Sequence, residues 1–564
     1  MRTDHAPRAL RRVFPSTAAF AASLLMAGCG GGSSPTLADA ATPAAACADL
    51  PDRAGLAATR LSTSYVPPDT RRPGGASTGA LLPGHCVVTG AINPRVGVDG
   101  KNYAIGFQLS LPDQWNGRFL FIGGGGNDGV LRDTSLSSSI SGATPSPLGQ
   151  GFAVVSTDAG HTGTTASFGA DPQARLDHAY NAYDKTAVAA KSLISTRYGR
   201  KPEHSYFSGC SGGGRQGMVF SQRFPDYFDA ITAGAPAMRV SSGATVAAMW
   251  NTIEFDAIAP TDSSGRRILS RAFSNEDLNL VAKAVTASCD AADGVADGMV
   301  NHVKACHFDP GVLQCGGAKT GNCLSSGQVN ALRNVFAGPR NSAGQALYAG
   351  QPWDPGLAAP GWRTWTLGSS TTATPDSRYI TLIVDALVNE FLTPPDLGFN
   401  PLAFNFDTDP ARMQAYSAIY DTYRDDRLTA FRQHGGKMLF IHGMSDPIFS
   451  ALDTLDYYER LAANNGGTQA TQDFARTFLV PGMNHCSGGP ATDSFDSIQA
   501  MVDWVEKGIA PDTIAARALP SSADFPQRTR PLCPYPKIAR YRFEGAAAGT
   551  GNVEDAASFV CALP

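Results

Sequence analysis

Apolar and polar residues recur along the middle of this chain with two different periods. The runs at 118–122 and 152–156 are short, apolar and bounded by glycine, which predicts buried strands. Over 183–197, Ala, Val, Leu and Ile fall at helical spacing, and Gly199 lies just past the end, where a helix stop is expected. A further strand is predicted at 204–208, a helix at 214–222 and a strand at 228–234. Strand alternating with helix from about 100 to 237 is the pattern of an α/β sheet. The rhythm then stops. Residues 238–432 mix Pro, Gly, several tryptophans and four cysteines with helical stretches such as 410–433. Strand character returns at 437–442 and 477–480. The simplest organisation is one domain built from 47–237 and 433–564, interrupted by a lid-like insertion at 238–432. No internal repeat is visible.

Ahead of residue 47 the composition changes. Arg2, Arg8, Arg11 and Arg12 precede an apolar run over 13–27 that is too short to span a bilayer, the form of an export signal. It closes on Leu25-Met26-Ala27-Gly28-Cys29, which resembles a bacterial lipoprotein signal over 1–28 with Cys29 as the lipidated residue. Soluble export with ordinary cleavage nearby is the alternative. Residues 29–46 are rich in Gly, Ser, Ala and Pro and predict a flexible tether. The expected location is the periplasm, the outer membrane or the exterior, with membrane contact only through a lipid on Cys29. The net charge of −4 and the lack of any Lys/Arg run argue against nucleic acid as a partner.

Ten cysteines remain after Cys29, an even number that in an exported protein predicts a disulfide framework. Nearest-neighbour logic pairs Cys47 with Cys86, Cys289 with Cys306, Cys315 with Cys323 and Cys533 with Cys561. The last two adjoin residues of catalytic type. Gly209-Cys210-Ser211-Gly212-Gly213 fits the G-x-S-x-G turn that lifts a serine hydroxyl between a strand and a helix. Cys486 follows His485 in Gly482-Met483-Asn484-His485-Cys486. A base must come within about 2.6–3.2 Å of its nucleophile. That forces Cys210 and Cys486 close to the separation a disulfide needs.

Asp446, in Gly443-Met444-Ser445-Asp446-Pro447, follows a late strand. The order Ser211, Asp446, His485 is that of an α/β-hydrolase fold. The chemistry needs all three. A serine hydroxyl is a weak nucleophile, histidine removes its proton, and aspartate orients and charge-balances the imidazole. Singly, Asp446 also suits a turn before proline and His485 a loop; the paired cysteines favour the triad. The glycine run 123–126 follows a strand and is placed to give one oxyanion amide, with Gly125 as the candidate and the choice among the four open, and Gly212 as the second donor. A tight turn is the plain alternative. Asp290, Asp293 and Asp297 beside Cys289 offer hard oxygen donors at short spacing, and the carbonyls of Val295 and Met299 complete a Ca²⁺ shell. A solvated acidic loop competes with that reading.

With Cys-Ser at the turn, Asp after the late strand and His-Cys near the end, the chain resembles the tannase and feruloyl esterase family. That family's bacterial members include hydrolases of mono(2-hydroxyethyl) terephthalate. The resemblance implies an α/β-hydrolase with a large lid carrying a structural calcium, and a Cys–Cys bridge between the triad loops. It also implies Ser211, Asp446 and His485 as triad, Cys210–Cys486 as bridge, and Asp290, Asp293, Val295, Asp297 and Met299 as calcium ligands. The expected activity is hydrolysis of esters of aromatic acids, whether feruloyl, galloyl or terephthaloyl, through an acyl-enzyme. A serine peptidase shares the triad, and a noncatalytic lipoprotein binding module is the reading from another class. Substrate choice is expected in the insertion, where Trp362, Trp365 and Arg378 are the suggestive side chains: indole faces as walls for an aromatic ring, arginine as a grip for a free carboxylate.

Overall fold

The computed structural model describes residues 42–69, 81–135, 140, 146–519, 522, 524–543 and 551–564. The expected signal, Cys29 and most of the expected tether lie outside these residues. The tether's last residues are helical, since a helix spans Pro43–Ala48. It is fixed to the sheet by Cys47–Cys86, with Cα atoms 5.5 Å apart.

Nine strands form one sheet: β1 (Thr59–Val66), β2 (His85–Val96), β3 (Asn102–Pro112), β4 (Arg118–Ile122), β5 (Ala153–Thr157), β6 (His204–Cys210), β7 (Ala230–Gly234), β8 (Lys437–Gly443) and β9 (Ala475–Val480). Their order is β1-β2-β3-β5-β4-β6-β7-β8-β9. The β1, β2, β3 and β5 contacts are antiparallel, and every contact from β5–β4 onward is parallel. The side chains divide with the period of two that a strand imposes. Phe119, Phe121, Phe207, Met438 and Phe440 pack on one face, around α1 (Ala182–Tyr198) and α2 (Gly212–Arg223). Leu120, Ile122, Tyr206, Leu439 and Ile441 pack on the other, against Met501 and Trp504 of α3 (Ser497–Lys507). A strand buried on both faces reads as a continuous apolar run, which is why these segments are visible in the sequence.

Parallel pairing also aligns the strand ends. Cys210 sits opposite Gly234, Gly234 opposite Ile441, and Gly443 opposite Val480. The turns that leave β6, β8 and β9 therefore emerge on one edge of the sheet, where ligands collect in open α/β sheets.

β7 and β8 are paired neighbours, so everything from 235 to 436 is inserted between them. This segment builds a core of its own from Phe255, Phe273, Leu278, Val285, Leu332, Val335 and Trp362. Cys289–Cys306 and Cys315–Cys323 cross-link it. A second cluster, including Phe168, Trp365, Tyr379, Phe391, Tyr416 and Phe449, joins it to the sheet domain. The single helical stretch expected over 410–433 is broken into Asp409–Tyr420 and Thr429–His434. The break falls at Asp421, whose extended backbone turns its carboxylate onto the amides and hydroxyls of Ser241 and Ser242 at 2.6–3.2 Å. Four hydrogen bonds to one buried carboxylate outweigh the continuation of the helix. Among the described residues no helix is long and apolar enough to cross a membrane.

Candidate active site

Ser211 stands between β6 and α2 with φ +66°, a left-handed backbone that a serine adopts only under constraint. Its amide donates to the Gly234 carbonyl at 3.0 Å, and its carbonyl accepts from Arg215 at 3.0 Å and Ala237 at 3.2 Å. The strain is thus held by hydrogen bonds to β7 and to the helix it begins. Cys210 is bonded to Cys486, with Cα atoms 6.0 Å apart across 276 positions of sequence. Cys486 also has positive φ, +67°. The bridge sets Ser211 and His485 as flanking neighbours of one covalent link. The other pairs are Cys289–Cys306, Cys315–Cys323 and Cys533–Cys561, so all five expected bridges are present.

His485 Nδ1 lies 2.7 Å from Asp446 Oδ2. A carboxylate can only accept, so Nδ1 donates this hydrogen bond, and in the neutral imidazole Nε2 is the nitrogen left to accept. Asp446 is fully buried and its Oδ1 accepts the amides of Ile448 at 2.9 Å and Phe449 at 3.1 Å. His442 Nε2 lies 3.5 Å from Oδ2. Burial alone would raise this carboxyl. The charge of His485 and hydrogen bonds from His442 and His485 outweigh it and hold the group well below the ordinary carboxylate range. The imidazole is flanked by Trp365, edge to face at 5.0 Å between centroids, and by Phe449 at 5.4 Å.

The glycine run requires one correction. The Gly125 amide donates to Asp128 Oδ1 at 2.9 Å and so does not point at the nucleophile. Gly123 donates to the Ser208 carbonyl and Gly124 to Gln216 Oε1. Among the described residues Gly126 is the glycine of the run whose amide has no acceptor. Gly212 begins α2 directly against this loop: a Cβ on it would lie 3.3 Å from Gly125 Cα and from the Gly126 oxygen. Gly212 therefore packs directly against Gly125 and Gly126 of this loop. Sequence reasoning also missed the brace behind them. Gln216 Nε2 donates to Asp128 Oδ2 at 2.7 Å, so one amide–carboxylate pair fixes two loop amides to α2.

Of the suggested substrate residues, Trp365 and Arg378 are brought together and Trp362 is not. Arg378 is exposed, and its guanidinium lies 5.2 Å from the Trp365 ring that touches His485. It has no salt bridge among the described residues. Trp362 packs inside the insertion against Phe255, 6.1 Å between centroids, one turn before Trp365 on a short helix, Pro360–Thr366. A second guanidinium, Arg132, went unnoticed in the sequence. A Cβ on Gly125 would lie 3.2 Å from its Nη2 and 4.0 Å from Ser211 Cβ.

Asp290, Asp293 and Asp297 are buried in the insertion. Asp290 accepts the amides of Asp297 and Gly298, Asp293 accepts from Asn301, and Asp297 is paired with Arg530. Among the described residues no three His, Cys, Asp or Glu side chains gather closely enough to hold a metal ion. The donor chemistry does suit a hard cation. Burial pushes the Asp293 carboxyl up to about 7, with the Asp297 charge adding to it, and burial also raises Asp290. Of the three carboxylates only Asp297 meets a guanidinium, that of Arg530, while Arg528 binds the Asp297 carbonyl at 2.6 Å.

Residues 86–562 match the family model described as tannase and feruloyl esterase. The chain is 43% identical to the mono(2-hydroxyethyl) terephthalate hydrolase of Piscinibacter sakaiensis, over 86% of each chain. It is 30% identical to a probable feruloyl esterase of Arthroderma benhamiae, over 83% of this chain and 84% of the relative. Among solved structures, feruloyl esterase B from Aspergillus oryzae superimposes with a TM-score of 0.76 at 25% identity, covering 92% of this chain and 100% of that one. By sequence and by fold alike, this carboxylic ester hydrolase belongs to the tannase and feruloyl esterase family.

Proposed function

We propose that the protein is an exported serine esterase that cleaves esters of aromatic acids through an acyl-enzyme. The observation that carries the reading is the covalent link between the Ser211 turn and the loop of a histidine already bonded to a buried carboxylate. Ser211 Oγ attacks the ester carbonyl while His485 Nε2 takes its proton. Charge collects on the former carbonyl oxygen, where the Gly126 and Gly212 amides receive it. The C–O bond to the alcohol breaks as His485 returns the proton to the leaving oxygen. Water, deprotonated by the same Nε2, then attacks the acyl-enzyme, releasing the acid and restoring Ser211. Asp446 stays ionised throughout and stabilises the imidazolium at each transfer.

Trp365 beside His485 supports an aromatic acyl group, since an indole face is a flat apolar wall with large contact area. Arg378, exposed and without a carboxylate partner among the described residues, supports an acid with a second, free carboxylate, such as a terephthalate half-ester. The insertion acts as the lid that carries both. Calcium held by Asp290, Asp293, Asp297 and the carbonyls of Val295 and Met299 would supply the missing positive charge and order the lid, away from the chemistry. The N-terminal signal directs export. The reading is tested with Ser211→Ala, which should fold normally, lose turnover of aromatic esters and take no label from an organophosphonate. Full labelling of that variant would reject Ser211 as nucleophile.

A further inference from the structure

Asp354 belongs to the insertion, far in sequence from the residues of the triad, and it is 1% exposed. Its carboxylate reaches into the two loops that carry the acid and the base. Oδ1 accepts the hydroxyl of Ser445, the residue before Asp446, and the amide of Gly356 at 2.9 Å. Oδ2 accepts the amide of Gly482, at the start of the His485 loop, at 3.0 Å. A second arm runs in the opposite direction. Asn484, the residue before His485, donates through Nδ2 to the Gly356 carbonyl at 3.0 Å and to the Ser445 carbonyl at 3.3 Å. Each side of the Asp446–His485 hydrogen bond is thus one residue from a group tied to 354–356. Space is closed around the junction: a Cβ on Gly356 would fall 2.4 Å from the Gly482 oxygen and 2.6 Å from Ser445 Oγ.

The anchor for this contact lies in the insertion's own core. Trp353 stacks on Phe336 with 3.7 Å between centroids and 3° between planes, and meets Phe308 edge to face at 5.1 Å. Beyond the junction the chain enters the helix Pro360–Thr366, which presents Trp365 to His485. Residues 353–366 therefore link the insertion core, both catalytic loops and the aromatic wall.

We propose that Asp354 is a positioning residue, holding the acid and base loops in the register that proton transfer between Ser211, His485 and Asp446 requires. The role rests on the serine triad put forward above. It differs from simple filling of space because backbone bonds already join the two loops, Ser445 to Met483 and Met444 to Val480, both at 3.0 Å. Those bonds keep the loops together. Asp354 sets the side of each loop from which the triad residue projects, and a displacement near 1 Å at such a place costs about a hundredfold in rate.

The experiment uses full-length protein and a fluorophosphonate probe, which needs an aligned triad and makes no demand on substrate specificity. Saturation kinetics separate the maximal labelling rate from the probe's affinity, and thermal melts give the folded fraction. Asp354→Ala should lower the maximal rate by about ten- to a hundredfold with affinity nearly unchanged. Ser445→Ala, which breaks one arm, should give a smaller loss of the same kind. The double variant should be no slower than Asp354→Ala, since both changes remove one contact. Asp354→Asn and Ser445→Ala decide the matter by the same rate if Asp354→Ala does not fold. Wild-type rates in the folded variants, or a loss confined to affinity or to melting temperature, would overturn the positioning role alone. Wild-type protein that takes no label on Ser211 would refute the serine mechanism and the positioning role together.

Discussion

Replacing both Cys210 and Cys486 by serine removes the bridge without leaving a free thiol, and its effects on stability and on rate are separable. The closed loop spans 276 positions. The chain-entropy relation assigns such a loop about 5.6 kcal/mol at 25 °C, against a measured range for disulfides of roughly 0–5. The two bridges inside the loop, spanning 17 and 8 positions, shorten it little, and the dependence is logarithmic. A loss of about 3–5 kcal/mol is therefore expected. With a melting entropy near 2.1 cal/mol/K per residue, a chain of this length has roughly 1.1 kcal/mol/K, so Tm should fall by about 3–5 °C. The effect on rate has another origin. Ser211 and Cys486 both hold positive φ, each worth about 1–3 kcal/mol of strain that the surroundings must impose. The hydrogen bonds of Ser211 keep its own turn in place, but without the link the Cys486 turn relaxes toward ordinary backbone and His485 drifts from the serine. Turnover measured well below the melting transition should drop about ten- to a hundredfold. Calorimetry and ester hydrolysis at about 20 °C on the double variant give both quantities. A variant that melts within about 1 °C of wild type and turns over at its full rate would refute the argument.

Other consequences are open to direct measurement. Asp446→Asn should cut kcat by about ten-thousandfold through loss of the correct imidazole tautomer, with little change in KM on an aromatic ester. The Asp446 carboxyl is depressed in the folded protein, so its stabilising contribution is complete above the ordinary value of 3.8 and is lost as pH falls below it. Urea titrations should accordingly show the gap between wild type and Asp446→Asn constant above about pH 4 and narrowing steadily as the pH falls further. Arg378→Ala should lose about tenfold in kcat/KM on a terephthalate half-ester and little on an uncharged aromatic methyl ester, the low end for a charged hydrogen bond because the guanidinium is exposed. Equal losses on both esters would discard the carboxylate grip. Chelator should lower the melting temperature and calcium restore it: an ion at a hundred times its Kd adds about 2.7 kcal/mol, or roughly 2–3 °C here. No shift, with no calcium found by elemental analysis, would dismiss the metal.

Much of this site was legible because its signals are local. Buried parallel strands announce themselves as apolar runs, and Cys-Ser and His-Cys place two reactive residues beside two halves of one bond. The antiparallel strands β1, β2 and β3 were not read, since their partly exposed residues give no comparable run. The choice among Gly123 to Gly126 stayed open because four consecutive glycines look alike until Asp128 and Gln216 take up particular amides. Trp362 and Trp365 share one side of a short helix, and only their partners, Phe255 and His485, tell them apart. Asp354 and the break at Asp421 depend on contacts between segments more than a hundred residues apart, which no periodicity records, and Arg132 is noticed only where its loop closes on Gly125.

The pairing of β7 with β8 has a consequence for how such a protein changes over time. Because the strands are parallel, Gly234 lies level with Ile441 and Lys437 with Ala230, so the two ends of the insertion are held about 14 Å apart, four residues along the strand and one spacing across, whatever lies between them. Doubling the length of such a detour costs only about 0.6 kcal/mol of closure entropy. Lineages are thus free to lengthen, trim or exchange this segment with hardly any penalty to the sheet. Any replacement must still bring its own counterpart of Asp354 and Trp365, because the exchanged module carries the parts that meet the catalytic loops. Recognition and alignment are inherited together, and a chimera grafted at 235 and 436 should acquire the donor's preference only when residues 353–366 travel with it.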